Sequence, residues 1–238
     1  MIRTNQKRVI IFGEVLFDCF STGEEVIGGA PFNVAWHLQA FGDKPLLISR
    51  LGQDVQGDTV RQLMSDWEMD SSLVQADSHY PTGRVEVTIE GNEPQYDIVP
   101  NMAYDFIEPL AVDRLASDGI LYHGSLALRQ DQTRQAFNQL YQQAGLPTFV
   151  DVNLRSPWWT KPAIETYLHQ ATWAKLNHDE LHILGFDNVD IEQAAKQVQH
   201  HFDLSQVIIT RGEQGALVCT KEHQIVAVKP PRVSTFVD

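Results

Sequence analysis

Cysteine and long apolar stretches are both scarce in this sequence of 238 residues. The two cysteines, Cys19 and Cys219, are far apart in sequence and favour neither a zinc cage nor a disulfide framework. No apolar run reaches the roughly 18 residues of a membrane-spanning helix, and the N-terminus lacks the apolar core of a signal peptide. These absences predict a cytoplasmic, soluble protein without a membrane partner.

Basic side chains are also outnumbered, since 18 Lys and Arg residues stand against 31 Asp and Glu residues and the formal net charge is -13. A nucleic-acid-binding surface needs clusters of basic residues, so we expect no nucleic-acid partner. The sequence contains neither the Walker phosphate loop nor the motifs of protein kinases. Any nucleotide site must therefore be built in another way.

The most informative stretch that is present reads GGAPFNVA and covers residues 28–35. Its two glycines let the backbone approach a ligand closely, Pro31 suits the first turn of a helix, and Asn33 places an amide at the mouth of that helix. Apolar spacing as far as Phe41 predicts one buried helix face, with a stop at Gly42. The stretch suits a polyhydroxy or anionic ligand, and a simple tight turn explains it equally well.

Short apolar strands alternate with amphipathic helices along most of the chain. This alternation is regular from residue 119 onward and predicts an α/β fold, with a mostly parallel sheet and helices on both faces. Asp18 lies just after the first strand, where open α/β sheets bind ligands, although a solvated loop is an equally good interpretation. In the glycine-rich turn at residues 52–58, Asp58 is expected to cap the following helix.

Residues 82–98 differ from the rest because apolar and polar side chains alternate on both sides of a turn at residues 91 and 92. The pattern predicts a hairpin with one apolar face. Such a face needs a cover, so we expect the hairpin either to close over a ligand or to pair with another subunit.

Two motifs in the second half of the chain lie at predicted strand ends. Asn177 and Glu180 are spaced to hold a hydrated magnesium ion and its phosphate, but a helix-capping box is the better local interpretation. The pair His178 and His182 departs from the zinc-protease motif because Asp follows the first histidine. The pattern Thr-Arg-Gly-x-x-Gly at residues 210–215 is by itself a weak signal of a nucleotide loop.

Taken together, these motifs and their order resemble the PfkB, or ribokinase-like, family of sugar kinases from about residue 9 to residue 238. The GGAPFNVA stretch is similar to the family's first signature, and with the segment Asp-Val-Asn-Leu-Arg at residues 151–155 it most resembles fructokinases. The resemblance implies a three-layer ribokinase-like fold with a small β lid. It also implies an ATP-dependent transfer of the γ-phosphate to a sugar primary hydroxyl, with fructose as the favoured substrate.

The resemblance also implies roles for individual residues. Those that would contact the sugar are Asp18, Gly28, Gly29, Asn33 and Arg155, the last meeting either the sugar or a phosphate. Those that would bind the nucleotide are Lys175, Asn177, Thr210, Gly212 and Gly215. Glu180 would hold Mg²⁺ through water, and Asp238 would lie near a monovalent cation such as K⁺.

One departure from the family pattern concerns its second signature, G-A-G-D, whose Asp is the catalytic base and whose glycine amides form an anion hole. The sequence ends at Asp238, where this segment would begin, so no residue of the chain is predicted to be the base. We therefore expect a single domain over residues 1–238 that is C-terminally incomplete, with lid segments around 14–30 and 82–99. This chain alone is expected to turn over little substrate.

Several alternatives remain open at the level of sequence. Ribose, 2-keto-3-deoxygluconate or a nucleoside could replace fructose as the acceptor. A non-catalytic sugar-binding protein would keep the pocket without phosphoryl transfer. The resemblance further implies that the lid could form a homodimer.

Overall fold

A computed structural model describes residues 8–90, 93–111, 118–186 and 190–230 of the chain. The chain divides into two compact units, Met1–Pro147 and Thr148–Asp238. Each unit has its own sheet strands and helices, and each is considered in turn below.

The main sheet of the first unit is parallel, as the alternation of strands and helices predicted. Its strands lie in the order β8-β1-β4-β5, and all three neighbouring pairs are parallel. These strands are β1 (Arg8–Phe12), β4 (Leu46–Gly52), β5 (Val74–Asp77) and β8 (Gly119–His123). The strands β1 and β4 are mostly buried, which fits their continuous apolar sequence.

Helices pack against this sheet along the first unit. They are α1 (Ala30–Ala40), α2 (Val55–Asp66) and α3 (Asp131–Ala144), and short 3₁₀ helices cover Ala103–Phe106 and Leu126–Arg129. The helix α1 contacts β1 and β4, and α2 contacts β4. The prediction that Phe41 lies on the buried face of α1 is wrong, because Phe41 is the residue after the last helical turn and is 82% exposed.

The predicted cap of the second helix is also wrong. The helix α2 begins at Val55, and the carboxylate of Asp54 accepts the N–H of Gly57 at 2.7 Å. Asp58 instead lies in the first turn with its side chain 81% exposed, 3.6 Å from Arg61. Aspartate is a favoured N-cap residue, so the residue type suits both positions, and only the backbone conformation before Val55 decides which aspartate is the cap.

A second, smaller sheet belongs to the same unit and has the strand order β3-β2-β6-β7. Its strands are β2 (Leu16–Phe20), β3 (Glu25–Gly28), β6 (Gly83–Glu90) and β7 (Glu93–Ile98). The pair β6 and β7 is the predicted hairpin, whose turn at 91 and 92 lies outside the described residues. The strand β2 joins the hairpin by pairing in parallel with β6. The sequence analysis identified neither β2 nor β3 as a strand.

The second unit continues the strand and helix alternation. Its elements are β9 (Thr148–Asp151), α4 (Lys161–Gln170), β10 (Trp173–Asn177), α5 (His178–Leu184), α6 (Ile191–His201), β11 (Gln206–Thr210), β12 (Ala216–Thr220) and β13 (Ile225–Val228), with a 3₁₀ turn at Gly212–Gln214. The strands β9, β10 and β11 are parallel, whereas β12 and β13 are antiparallel. Among the helices of the described ranges, none combines the length and apolar character needed to cross a bilayer.

The core of the first unit contains an aromatic cluster around Phe137 on α3. The ring of Phe137 is fully buried and lies 5.3 Å from that of Phe12 in an edge-on arrangement. The imidazole of His123 lies 4.3 Å from the same ring. Aromatic side chains bury large areas, so this cluster contributes strongly to the packing of α3 on the sheet.

We expect Phe137→Ala to lower the free energy of unfolding by about 3–5 kcal/mol, because it removes a fully buried ring and leaves a cavity. Phe41→Ala is the matched control, since it deletes the same ring at an exposed position and is expected to cost less than about 0.5 kcal/mol. Urea unfolding followed by circular dichroism measures both. Equal losses for the two variants would contradict the assigned core.

Stability should fall in mild acid because of His123. Burial lowers the pKa of His123 to about 4, although the carbonyl of Gly124 accepts its Nδ1–H at 2.8 Å and acts in the opposite direction. The unfolded chain binds this proton near pH 6.5, so between about pH 6.5 and pH 4 the unfolded state holds more protons than the folded state. The free energy of unfolding should therefore decrease as pH falls through this window, by up to about 1.4 kcal/mol per pH unit.

Urea unfolding at a series of pH values tests this expectation. His123→Gln should reduce the dependence of the free energy of unfolding on pH between about pH 6.5 and pH 4. His37→Gln, at an exposed position, should leave that dependence unchanged. An unchanged slope in His123→Gln would show that other groups cause the pH dependence.

Candidate functional site

In the first unit, Asp18 and the glycine turn are brought together by two strands of the small sheet. The strands β2 and β3 are antiparallel, with Asp18 opposite Val26 and Leu16 opposite Gly28. A methyl group placed on Gly28 would lie only 3.1 Å from Oδ2 of Asp18. The carboxylate therefore lies directly against the first glycine of the predicted sugar-binding stretch.

Gly29 has two reasons to be glycine. Its φ of 103° is in the region that residues with a side chain rarely adopt, and a methyl group there would lie 2.7 Å from the carbonyl oxygen of Glu14. Gly29 is also the cap residue of α1, and its carbonyl accepts the N–H of Asn33 at 2.9 Å. The side chain of Asn33 is exposed on the first turn of this helix.

The pairing of β2 with β3 and the turn into α1 thus supply one carboxylate, one exposed amide and two backbone positions without side chains. A carboxylate accepts hydrogen bonds from hydroxyl groups, and an amide both donates and accepts them. This combination recognises a polyhydroxy compound better than it recognises an anion, because Asp18 adds negative charge.

In the second unit, Asn177 and Glu180 form a capping box at the start of α5. Oδ1 of Asn177 accepts the N–H of Glu180 at 2.8 Å, and Oε2 of Glu180 accepts the N–H of Asn177 at 2.8 Å. The local interpretation favoured at the level of sequence is thus observed.

The carboxylate of Glu180 has a second contact that the capping motif does not predict. Its Oε1 accepts the N–H of Leu154 at 2.7 Å, which joins the start of α5 to the loop that follows β9. Glu180 is 4% exposed, so both contacts are shielded from water. This loop carries Asn153, with a φ of 39°, and the exposed Arg155.

These contacts limit how Glu180 could bind a metal ion. A carboxylate has about four positions for accepting hydrogen bonds, and two of them already face backbone N–H groups. Within the described ranges, no group of three or more His, Cys, Asp or Glu side chains is arranged to hold a metal ion. The donors therefore fit a hydrated ion held through water and do not fit direct ligation by a protein cage.

Lys175, on β10, pairs with a carboxylate of the neighbouring strand. Its Nζ lies 2.7 Å from Oδ1 of Asp151, and its carbonyl accepts the N–H of Val152 at 3.0 Å. The lysine therefore helps to fix the end of β9, which leads into the loop bearing Arg155. Its predicted contact with a nucleotide stays a prediction.

An open cavity of about 460 Å³ lies beside the ends of β10 and β11. Three of the residues predicted to bind a nucleotide or phosphate line it, namely Asn177, Thr210 and Gly212. Asn177 and Thr210 are direct neighbours in the register of these two parallel strands. Sheet pairing alone thus brings together two motifs that are 33 residues apart in sequence.

The two glycines after Thr210 have different environments. Gly212 has a φ of 55° and no atom within 4 Å of the place where a methyl group would stand, so its backbone faces open space. Gly215 has a φ of 83° and lies close against Val228 and Pro230, where a side chain has no room. Gly212 is suited to contact a ligand and Gly215 to close the turn. Asp238 lies outside the described residues.

Some residues of this cavity were missed by the sequence analysis. They are His178, Asp179 and Ile191. Arg211 and Gln214 also line the cavity, and both lie within the 210–215 segment that the resemblance implies for the nucleotide. Ile191 gives no sequence signal, since it begins α6 and reaches the cavity only through the packing of that helix.

Comparison with known proteins gives a consistent result. A family model described as "pfkB family carbohydrate kinase" matches residues 5–238. Probable fructokinase-2 of Arabidopsis thaliana is 25% identical over 241 residues, which covers 92% of this chain and 73% of the relative. Further curated relatives are also named fructokinases.

Solved structures agree in fold. Vibrio cholerae fructokinase with fructose, ADP and a potassium ion has a TM-score of 0.80 at 22% identity, covering 96% of this chain and 77% of that one. Salmonella enterica aminoimidazole riboside kinase, complexed with aminoimidazole riboside and an ATP analogue, has a TM-score of 0.80 at 24% identity. The match covers 97% of this chain and 78% of that one. At such identities the likeness shows the fold alone, and the predicted ribokinase-like α/β fold is confirmed.

Replacing Glu180 by Gln should destabilise the second unit. The amide presents an N–H₂ group to one of the two backbone N–H donors, so one buried hydrogen bond is lost, at a cost of about 1–3 kcal/mol. Asp179→Asn is the control, because the Asp179 side chain is 91% exposed. Thermal unfolding compares the two variants. A Glu180→Gln protein as stable as Asp179→Asn would show that these contacts contribute little.

Proposed function

The chain belongs to the PfkB family of carbohydrate kinases, and on that premise we propose that it serves as an ATP-dependent kinase of fructose. The observation that carries this proposal is the placing of the Asp18 carboxylate against the Gly28-Gly29 turn, with the exposed amide of Asn33 on the next turn. The fructokinase names of the relatives support fructose over other sugars.

In this proposal the first unit binds the sugar. Asp18 accepts hydrogen bonds from sugar hydroxyls, Asn33 donates and accepts them, and the backbone at Gly28 and Gly29 lets the sugar approach closely. Arg155 contacts the sugar or a phosphate. The fructose in the Vibrio cholerae structure supports this substrate class.

The cavity of the second unit is proposed to bind the phosphates of ATP. Asn177, Thr210 and Gly212 line it, with Gly215 shaping the turn and Lys175 nearby on β10. ADP in the Vibrio cholerae structure and an ATP analogue in the Salmonella enterica structure support a nucleotide here. We assign the base that deprotonates the acceptor hydroxyl to none of the described residues.

We propose Mg²⁺ and K⁺ as the cations. Glu180 would hold Mg²⁺ through water, and the ion would neutralise phosphate charge during transfer. Asp238 would lie near K⁺, and the potassium ion in the Vibrio cholerae structure supports a monovalent cation in this kind of protein.

The small sheet, with segments around 14–30 and 82–99, is proposed to be a lid within one domain that spans residues 1–238. Among the side chains of this sheet whose burial is described, Val26 and Tyr96 are large, apolar and exposed, at 45% and 60%. Exposed apolar surface on a sheet favours association, so the lid is also the proposed contact of a homodimer.

A nucleoside is the second candidate acceptor. The Salmonella enterica neighbour binds aminoimidazole riboside and matches as well as the Vibrio cholerae fructokinase does, with the same TM-score. A sugar-binding protein without phosphoryl transfer is the candidate of a different class. Measuring ADP release with a panel of sugars and nucleosides separates fructose from a nucleoside as the acceptor. Sugar binding without ADP release would support the sugar-binding protein.

Isothermal calorimetry with fructose tests the pocket directly. We expect Asp18→Asn and Asn33→Ala each to weaken binding by about tenfold or more, because each removes hydrogen bonds to the sugar that are worth about 1.4 kcal/mol or more. Asp58→Asn is the control, since Asp58 is an exposed carboxylate outside the proposed pocket. Unchanged binding in Asp18→Asn would exclude the assigned pocket, and failure of the unsubstituted chain to bind fructose would overturn the substrate.

A further inference from the structure

The hairpin β6–β7 leaves and rejoins the rest of the first unit through two short segments. Residues 81 and 82 lead into β6, and residues 99–103 lead out of β7 to the 3₁₀ helix that begins at Ala103. The N–H of Ala103 donates to the carbonyl of Pro81 at 2.8 Å, so the two segments are joined at their base. Each segment is also held by an aspartate, and neither aspartate belongs to the proposed sugar or nucleotide site.

Asp54 holds the segment that enters β6. Its Oδ2 accepts the N–H of Thr82 at 2.7 Å, and its Oδ1 accepts the hydroxyl of Thr82 at 2.7 Å. The same hydroxyl accepts the N–H of Gly52 at 3.0 Å. Burial alone would raise the pKa of Asp54, but the N–H and hydroxyl of Thr82, the N–H of Gly57 and the charge of Arg61 bring it below its usual value.

The backbone around Thr82 lies close to its neighbours on several sides. A methyl group on Gly52 would lie 2.6 Å from the nitrogen of Thr82. A methyl group on Gly83 would lie 2.6 Å from the carbonyl oxygen of Val15 and 2.7 Å from the ring of Tyr104. The start of β6 thus lies against the end of β4, against Val15 just before β2 and against the fully buried ring of Tyr104.

Asp105 holds the segment that leaves β7, and it does so through Arg129. The guanidinium of Arg129 donates to both oxygens of Asp105 at 2.7 Å and to the carbonyl of Val99 at 2.7 Å. Oδ2 of Asp105 also accepts the N–H of Met102 at 3.0 Å. The side chains of Arg129 and Asp105 are 2% and 0% exposed, so water does not compete for these bonds.

The position of Asp18 depends on the first of these anchors. The strand β2 pairs in parallel with β6, with Leu16 opposite Gly83 and Asp18 opposite Val85. Fixing Thr82 therefore fixes the register at the base of β6, and the strand pairing transmits that position to Asp18, two residues further along β2.

We propose that Asp54 and Asp105 are positioning residues that clamp the two ends of the β6–β7 hairpin and thereby hold Asp18 at the sugar. The inference rests on the proposed sugar-binding function of Asp18. The aspartates act through Thr82 and Arg129 and do not touch the sugar.

Hydrogen exchange of the full chain without ligand tests the clamp. Asp54→Asn should speed exchange in residues 83–88 by about tenfold, because an amide nitrogen replaces one of the two accepting oxygens and a hydrogen bond to a charged group is lost. Asp105→Asn should speed hydrogen exchange mainly in residues 95–98. Exchange in β1 and β4 should stay the same in both variants.

Calorimetry with fructose gives the second readout. Asp54→Asn should weaken fructose binding by about tenfold and leave ATP binding unchanged, because the anchor positions Asp18 alone. Thr82→Val keeps the backbone N–H of residue 82 but removes the hydroxyl, so it should change hydrogen exchange and fructose binding less than Asp54→Asn does. Thr82→Ser keeps the hydroxyl and should show normal exchange and normal fructose binding. Asp58→Asn, an exposed carboxylate of the same turn, should change neither.

Two outcomes would overturn the proposal. One is normal exchange of residues 83–88 in Asp54→Asn. The other is faster exchange throughout the first unit with unchanged fructose binding, which would give Asp54 a purely structural role. If the unsubstituted chain binds no fructose, the proposed function fails separately, and the inference that Asp54 positions a sugar-binding Asp18 fails with it. The ligand-free exchange still decides whether the anchors hold the hairpin.

Discussion

Carboxylates that accept backbone N–H groups hold three of the segments next to the proposed binding surfaces. Glu180 joins the start of α5 to the loop after β9, Asp54 holds the start of β6, and Asp105 caps the segment after β7. Loop N–H groups without a sheet partner are costly to bury. Glu180 and Asp54 each accept two backbone N–H groups, and Asp105 accepts one together with the guanidinium of Arg129, so charge-assisted hydrogen bonds help to order these segments.

The glycine turn at residues 28 and 29 depends on a different constraint, which is lack of space. Gly28 lies against the Asp18 carboxylate, and Gly29 lies against the backbone of Glu14 with a φ of 103°. A side chain at position 29 would meet the backbone of Glu14, and one at position 28 would displace the carboxylate of Asp18. The absence of side chains at both positions thus serves the packing of the turn and the placing of Asp18 at the proposed site.

Much of the fold and part of the site could be predicted because the signals are local. The strands of the two parallel sheet segments follow from short apolar runs, and the capping box of Asn177 and Glu180 follows from residue type at a spacing of three. The short strands β2 and β3 gave no such signal, since β2 is ordered by pairing with β6 and β3 by pairing with β2. Asp54 and Asp58 could not be told apart as caps because both are suitable residue types, and the apolar pattern of α1 did not show that the helix ends one residue before Phe41.

The amino-acid sequence by itself determined the class of the protein, its PfkB character and the residue types of the proposed sugar site, since these depend on motifs whose members are close together in the chain. Only the tertiary structure decided which of these residues meet. Asn177 reaches Thr210 through strand register, Glu180 reaches Leu154 across a loop, and Asp54 reaches Thr82 over 28 residues. Contacts of this kind depend on how strands pair and loops close in space, and such long-range geometry leaves no periodic trace in a single sequence.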